Sequence, residues 1–190
     1  MKTEQDIIRL IESDEEMMRI LKAAQKLELP DWWICAGFVR SKIWDTLHQF
    51  REKTPMPDVD VIYFDKTNIE EKEEKRLEER LRDLLPNVPW SVKNQARMHI
   101  VNQVEPYKSS ENAISKFPET ATAIGVKLDQ NNQVKLTAPW GIEDVLNLQV
   151  KPTPYFMETS ALAAIYDERV TKKEWQSIWH KLEIYSITSA

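Results

Sequence analysis

Residues 57–65 read Pro-Asp-Val-Asp-Val-Ile-Tyr-Phe-Asp. Val59, Val61, Ile62 and Phe64 are β-branched or aromatic, so the run is expected to be a buried strand. Side chains alternate faces along a strand. Asp58 and Asp60 therefore aim the same way, roughly 7 Å apart along the chain. Two carboxylates on one face of a core strand repel each other and are costly to desolvate. A divalent cation between them relieves both costs. Hard oxygen ligands of this kind suit Mg2+ or Mn2+ when a substrate phosphate completes the coordination. The plain alternative is a strand entering from a polar loop, with two solvated acids at its rim.

The chain has 190 residues, enough for one domain with a real core. Only three are glycine, which excludes the glycine-rich dinucleotide fingerprint and the P-loop. The net charge of −5 argues against a broad, sequence-independent grip on DNA or RNA, yet allows a small nucleotide held by a metal and a few basic groups. Cys35 is the sole cysteine, so no disulfide framework or cysteine-based zinc site is expected. Inside its apolar run it reads as a small buried hydrophobe. The N-terminus carries acids and no long apolar stretch, and no segment approaches the ~18 residues needed to span a membrane. A cytoplasmic protein with no membrane partner is expected.

Two amphipathic helical segments fill the first 29 residues, with Met17 and Met18 as core filler. Residues 31–36 follow as a short buried strand. Gly37 marks a turn, and residues 38–50 form a helix. The strand carrying Asp58 and Asp60 comes next, over 59–64. Residues 69–85 form a highly charged helix laced with pairs three and four apart. Residues 90–94 suggest a third strand, while 95–101 fit strand or helix. A short helix is expected over 111–117, capped by Ser109 or Ser110. A hairpin joins 120–129 to 133–137. Further helices are expected over 140–148, 158–169 and 172–182. The expected architecture is α+β, a short mixed sheet flanked by helices, in one domain. N-terminal helices occupy 1–29, a catalytic-type core about 30–150, and a helical elaboration 151–190.

Strand, glycine, helix and Asp-x-Asp strand together carry a chemical logic. A helix that begins at Gly37 offers unpaired backbone N–H groups and the positive end of its dipole to a phosphate. Glycine allows close approach of a ligand. Arg40 in the first turn adds a guanidinium for the same phosphate. The next strand delivers Asp58 and Asp60, whose metal neutralises charge on a leaving pyrophosphate.

These residues resemble the nucleotidyltransferase superfamily of DNA polymerase β-like fold, and a bacterial family within it. The resemblance rests on Ala36-Gly37-Phe38-Val39-Arg40, on Trp44, Asp45, Leu47 and His48, and on Asp58 through Asp65. It continues in residues 93–99, 117–123 and 138–144, and spans about residues 30–180. It implies transfer of a nucleoside monophosphate from a nucleoside triphosphate (NTP) to an acceptor hydroxyl. Asp58 and Asp60 would then ligate Mg2+ or Mn2+, and Gly37 with the backbone at Phe38 would face the triphosphate. Two departures stand out. Phe38 occupies a position where the superfamily usually has serine. The strand at 90–94, which would supply a third carboxylate, holds no acid. Asn94 is its possible weak oxygen ligand, with an acid introduced at position 92 or 94 as the probe. Asp65 is expected on the opposite face.

Asn94, Arg97 and His99 lie within six residues and are candidates to contact the nucleotide, or else form a polar network that holds the loop before Pro106. His48, at a helix C-terminus, is expected to act as a cationic cap. Glu143 and Asp144 suit the first turn of a helix. The acceptor is unknown, with a small molecule or protein favoured over a large nucleic acid. The rival reading is a non-catalytic nucleotide-binding or protein-interaction module that keeps the fold without the third carboxylate.

Overall fold

The computed structural model describes residues 1–188. Helix α1 (Glu4–Glu12) opens with a capping box in which Thr3 and Asp6 satisfy each other's backbone N–H groups. Helix α2 (Glu15–Gln25) is capped by Asp14. Five strands then build the main sheet: β1 (Trp33–Cys35), β2 (Val59–Tyr63), β3 (Trp90–Asn94), β4 (Gly125–Leu128) and β5 (Val134–Thr137). Their order is β3-β2-β1-β4-β5. Only β2 and β3 pair in parallel, so the sheet is mixed as expected. The parallel pair requires a crossover, which α4 (Glu71–Leu84) provides.

The two sheet faces bury different sets. Ile34, Val59, Val61, Val92, Val126 and Leu128 join the main core, which runs from Ile7 to Leu182 in sequence. Trp33, Cys35 and Ile62 face the other way and pack with Ile114 and Ala123 in a small second cluster. Helix α6 (Ser110–Ile114), capped by Ser109, brings Ile114 to that face. Asp60 lies two residues before Ile62 and shares this second face. Helix α3 (Gly37–Leu47) links β1 to β2, and α5 (Gln95–Asn102) follows β3 directly because the Asn94 side chain caps it. The ambiguity over 95–101 thus resolves as helix.

The C-terminal third departs most from expectation. The helical stretch expected over 140–148 shortens to one turn, α7 (Glu143–Leu146). Residues 120–124 form turns, and strand structure starts only at Gly125. The penultimate helix runs further than expected, as α8 (Ser160–Lys173), and stops where Glu174 turns left-handed at φ 47°. No helix spans 172–182; only a 3-10 turn at Trp175–Ser177 occurs there. Long-range bonds hold this stretch instead. Trp179 Nε1 donates to Asp45 Oδ1 at 2.8 Å, and the Lys181 backbone N–H donates to His48 Nε2 at 3.1 Å. His48 Nδ1 lies 2.8 Å from the Trp44 carbonyl in the last turn of α3. His48 thus caps the C-terminus of α3 as expected, and it is also a buried tie between α3 and the C-terminal segment. Strands β6 (Gln149–Val150) and β7 (Glu183–Ile184) form a two-stranded parallel sheet behind α8. Tyr166 of α8 donates its hydroxyl to the Val150 and Tyr185 carbonyls, which fixes the helix on that support.

Candidate active site

Cys35 and Asp60 are directly paired across the antiparallel β1–β2 ladder. The ladder ends there, with α3 starting two residues after Cys35 and Asp58 two residues before Asp60, so the start of α3 and the two carboxylates lie at the same end of the sheet. Asp58 is exposed, just before β2, and Asp60 is half-buried. Burial pushes the Asp60 carboxyl up to about 6, and the neighbouring Asp58 charge adds to it. Ser91, paired with Asp60 across β2–β3, pulls the other way, as do Lys173 and Arg169 from α8. The expectation of two repelling carboxylates on one face thus has a visible electrostatic consequence.

Among the described residues no side chain caps the start of α3. The first backbone N–H groups of that helix lack the usual oxygen partner, which suits an anion. Ala36 enters the helix at φ 56° and ψ −119°, a left-handed geometry that glycine adopts more readily. Phe38 is buried in the main core, so only its backbone remains available at the turn. Arg40 is largely enclosed, with its Nη2 beside Gly37 at the start of α3. It is 8% exposed, with its guanidinium 4.9 Å from the Trp44 ring centroid and 4.5 Å from that of Trp175. Nη1 donates to Thr122 Oγ1 at 3.2 Å. Burial lowers its pKa to about 10, and Glu119, Asp58 and Asp60 resist that fall.

Asn94, Arg97 and His99 are not brought to the Asp pair. Asp60 is level with Ser91, so Asn94 lies three residues, roughly 10 Å, further along the sheet. The Asn94 amide donates to the Asp65 and Asn68 carbonyls and accepts from the Asp65 and Ala96 N–H groups. Arg97 donates through Nε and Nη2 to the fully buried Glu74, at 3.1 and 2.9 Å. His99 follows on α5 with its Nδ1 buried. Asn94 and Arg97 thus sit in a polar network, but it holds the loop after β2 rather than the one before Pro106, and the buried His99 Nδ1 has no hydrogen-bond partner among the described residues. Val92 and Asn94 also lie on the sheet face away from Asp60. The β3 residue level with Asp60 and on its face is Ser91, so the substitutions suggested at 92 and 94 lie one and three residues off. Asp65 is occupied by Thr67, whose backbone N–H and hydroxyl it accepts at 2.8 and 2.6 Å. Asp144 accepts from Thr120 and Lys151, at 2.7 and 2.8 Å, and so ties two loops together.

Sequence reasoning missed Arg169, Lys173 and Glu119. The Glu119 carboxylate is 0% exposed and accepts from Arg169 Nε at 2.6 Å. Arg169 and Lys173 sit one turn apart on α8, within electrostatic reach of Asp60. The available signal was their spacing of four, which places them on one helix face.

Two carboxylates and no third acid suit a metal that takes its remaining oxygen ligands from substrate phosphate and water. Among the described residues no group of three or more His, Cys, Asp and Glu gathers to hold a metal alone. Nor, among them, is any helix long and apolar enough to cross a membrane.

A sequence model described as nucleotidyltransferase matches residues 22–184. The chain belongs to this nucleotidyltransferase family. It is 38% identical to a protein whose NMR structure is described as revealing a CCA-adding enzyme head domain. That match covers 98% of both chains at a TM-score of 0.86. More distant likeness extends to the Thermotoga maritima CCA-adding enzyme complexed with tRNA, at 13% identity and a TM-score of 0.58. A CCA-adding enzyme in complex with CTP matches at 12% identity and a TM-score of 0.59. Each of these two matches covers 96% of this chain and 43% of the other, so the likeness is one of fold, over less than half of the larger proteins. No curated protein matches.

Proposed function

We propose that this nucleotidyltransferase family member transfers a nucleoside monophosphate from an NTP to an acceptor hydroxyl, with Asp58 and Asp60 holding Mg2+ or Mn2+. The observation that carries the reading is the Asp58/Asp60 pair set against the uncapped start of α3. Bound there, the metal would supply charge neutralisation at the phosphates. The chain's own residues contribute the rest. The backbone N–H groups of Gly37 and Phe38 offer donors to phosphate oxygens, and Gly37 leaves room for close approach. In the reaction the acceptor oxygen bonds to the α-phosphorus. The bond from that phosphorus to the pyrophosphate oxygen breaks with its electron pair, and the hydroxyl proton passes to solvent.

The net charge of −5 favours a small molecule or a protein as acceptor. The likeness to a CCA-adding head domain makes an RNA 3′ hydroxyl the alternative to include in the assay. The test is pyrophosphate release from each of the four NTPs, with Mg2+ and with EDTA, in the native protein and in an Asp58→Asn/Asp60→Asn variant. Metal-dependent release that disappears in the folded variant is expected. Release that persists in the variant would remove Asp58 and Asp60 from the chemistry. The absence of an acid from β3 supports a second reading, a nucleotide-binding module. Metal-dependent NTP binding without release, whatever the acceptor, would favour it.

A further inference from the structure

We propose that Arg169 and Lys173 of α8 seat the β- and γ-phosphates of the NTP and the pyrophosphate that leaves. This inference rests on the nucleotidyl-transfer reading for its place in the reaction, while the anion site itself stands on separate observations.

Arg169 is held in a fixed pose. Its Nε donates to the buried Glu119, and its guanidinium carbon lies 6.0 Å from the Trp175 ring centroid. Glu119 is fixed in turn, because residues 118–120 bond through their backbone to residues 151–153. Among the described residues neither Nη of Arg169 has a hydrogen-bond partner, and the side chain is 34% exposed. A guanidinium fastened at Nε presents its two terminal amino groups as a rigid fork, which matches phosphate oxygens.

Lys173 follows one turn later and is exposed. It makes no ion pair among the described residues, yet its charge reaches Asp60. Both cations border an open hollow along the face of α8, together with Lys172, Glu168 and Ile165. Arg40 lies against two tryptophans and donates Nη1 to Thr122, which leaves its Nη2 beside Gly37 at the start of α3, the other end of this anion path. Asp58 and Asp60 would hold the metal, while Arg169 shares the Trp175 ring with Arg40. As the P–O bond breaks, the negative charge gathering on pyrophosphate develops beside Arg169 and Lys173, where it is stabilised.

The test uses calorimetric titration of inorganic tripolyphosphate in EDTA, which isolates the anion site from the metal. Native protein is compared with Lys173→Gln, Arg169→Lys and the remote control Lys22→Gln. A Kd about tenfold weaker is expected for the first two variants, with the control unchanged. Lys173→Gln removes an exposed side chain and so keeps the test free of folding loss. Native protein that fails to bind tripolyphosphate, or a Kd unmoved in both variants, would overturn the proposal. The same variants are then assayed with Mg2+ and NTP for inhibition by pyrophosphate, and a tenfold rise in the inhibition constant is expected. Normal turnover with that constant unmoved would end the α8 proposal alone. Tripolyphosphate binding that weakens in the variants, in a protein that turns over no NTP, would leave the anion site standing and remove nucleotidyl transfer.

Discussion

At neutral pH the Asp60 carboxylate costs the metal-free protein stability, because burial and Asp58 push its pKa from 3.8 to about 6. The cost is absent below about pH 4, grows between 4 and 6, and is complete above 6. From the size of the shift it amounts to about 2–3 kcal/mol. Asp60→Asn should therefore raise the unfolding free energy by about that much at pH 7.5 and by almost nothing at pH 4, read from urea denaturation at both values. Equal gains at the two pH values would show that charge burial is not the cause. Ala36 stores a smaller strain. A left-handed non-glycine residue costs about 1–3 kcal/mol, and glycine's extra freedom in the unfolded chain offsets part of any relief. Ala36→Gly should stabilise by about 1 kcal/mol in the same assay, whereas a less stable variant would refute the strain. The Asp pair was legible from residue alternation alone. The left-handed turn was not, because the sequence shows alanine where the backbone asks for glycine.

Elements decide which residues share a site, and β3 shows how. Alternation within β3 could be read from the sequence, but its register against β2 could not, because pairing is fixed by tertiary packing. The structure pairs Asp60 with Ser91, so an acid at Ser91 shares its face, while one at Asn94 does not. Ser91→Asp should tighten Mn2+ binding about tenfold by titration. Asn94→Asp should leave Mn2+ affinity unchanged and cost about 1–3 kcal/mol, since the Asp65 and Asn68 carbonyls lose their donor. No gain in Mn2+ affinity from Ser91→Asp would mean that β3 does not border the metal. The C-terminal segment illustrates the same limit. Trp175, Trp179 and Leu182 recur at helical spacing and all are buried, but bonds to Asp45 and His48 on α3 hold the chain out of a helix. The sequence reading ended the preceding helix at residue 169. That boundary separated Arg169 from Lys173 and hid their common face.

Across the whole molecule, carboxylates act in opposite directions on stability. Asp14 tethers the N-terminal helices to the rest of the chain, with Lys42 Nζ at 2.8 Å and Lys53 Nζ at 2.9 Å. Burial alone would raise its pKa, but the two lysines and the Met17 N–H reverse that and hold it at about 2. Its folded pKa lies below the usual 3.8, so its stabilisation is full above about pH 4 and is lost as pH falls through 2. Lys53 is half exposed, and with that solvent screening the contribution is about 1–2 kcal/mol. Glu73, Glu74 and Asp167 are also lowered and act in the same sense. Asp60 opposes them from pH 4 upward. The metal-free protein should thus be most stable between about pH 4 and 6, by thermal melts across pH 2–9. Asp14→Asn should flatten the acid limb, and Asp60→Asn the limb above pH 4. Saturating Mg2+ with NTP should move the maximum upward, because a ligand that binds ionised Asp60 stabilises the folded state most where that carboxylate carries its charge. A maximum that stays in place when the ligand is added would separate the stability of this fold from its metal site.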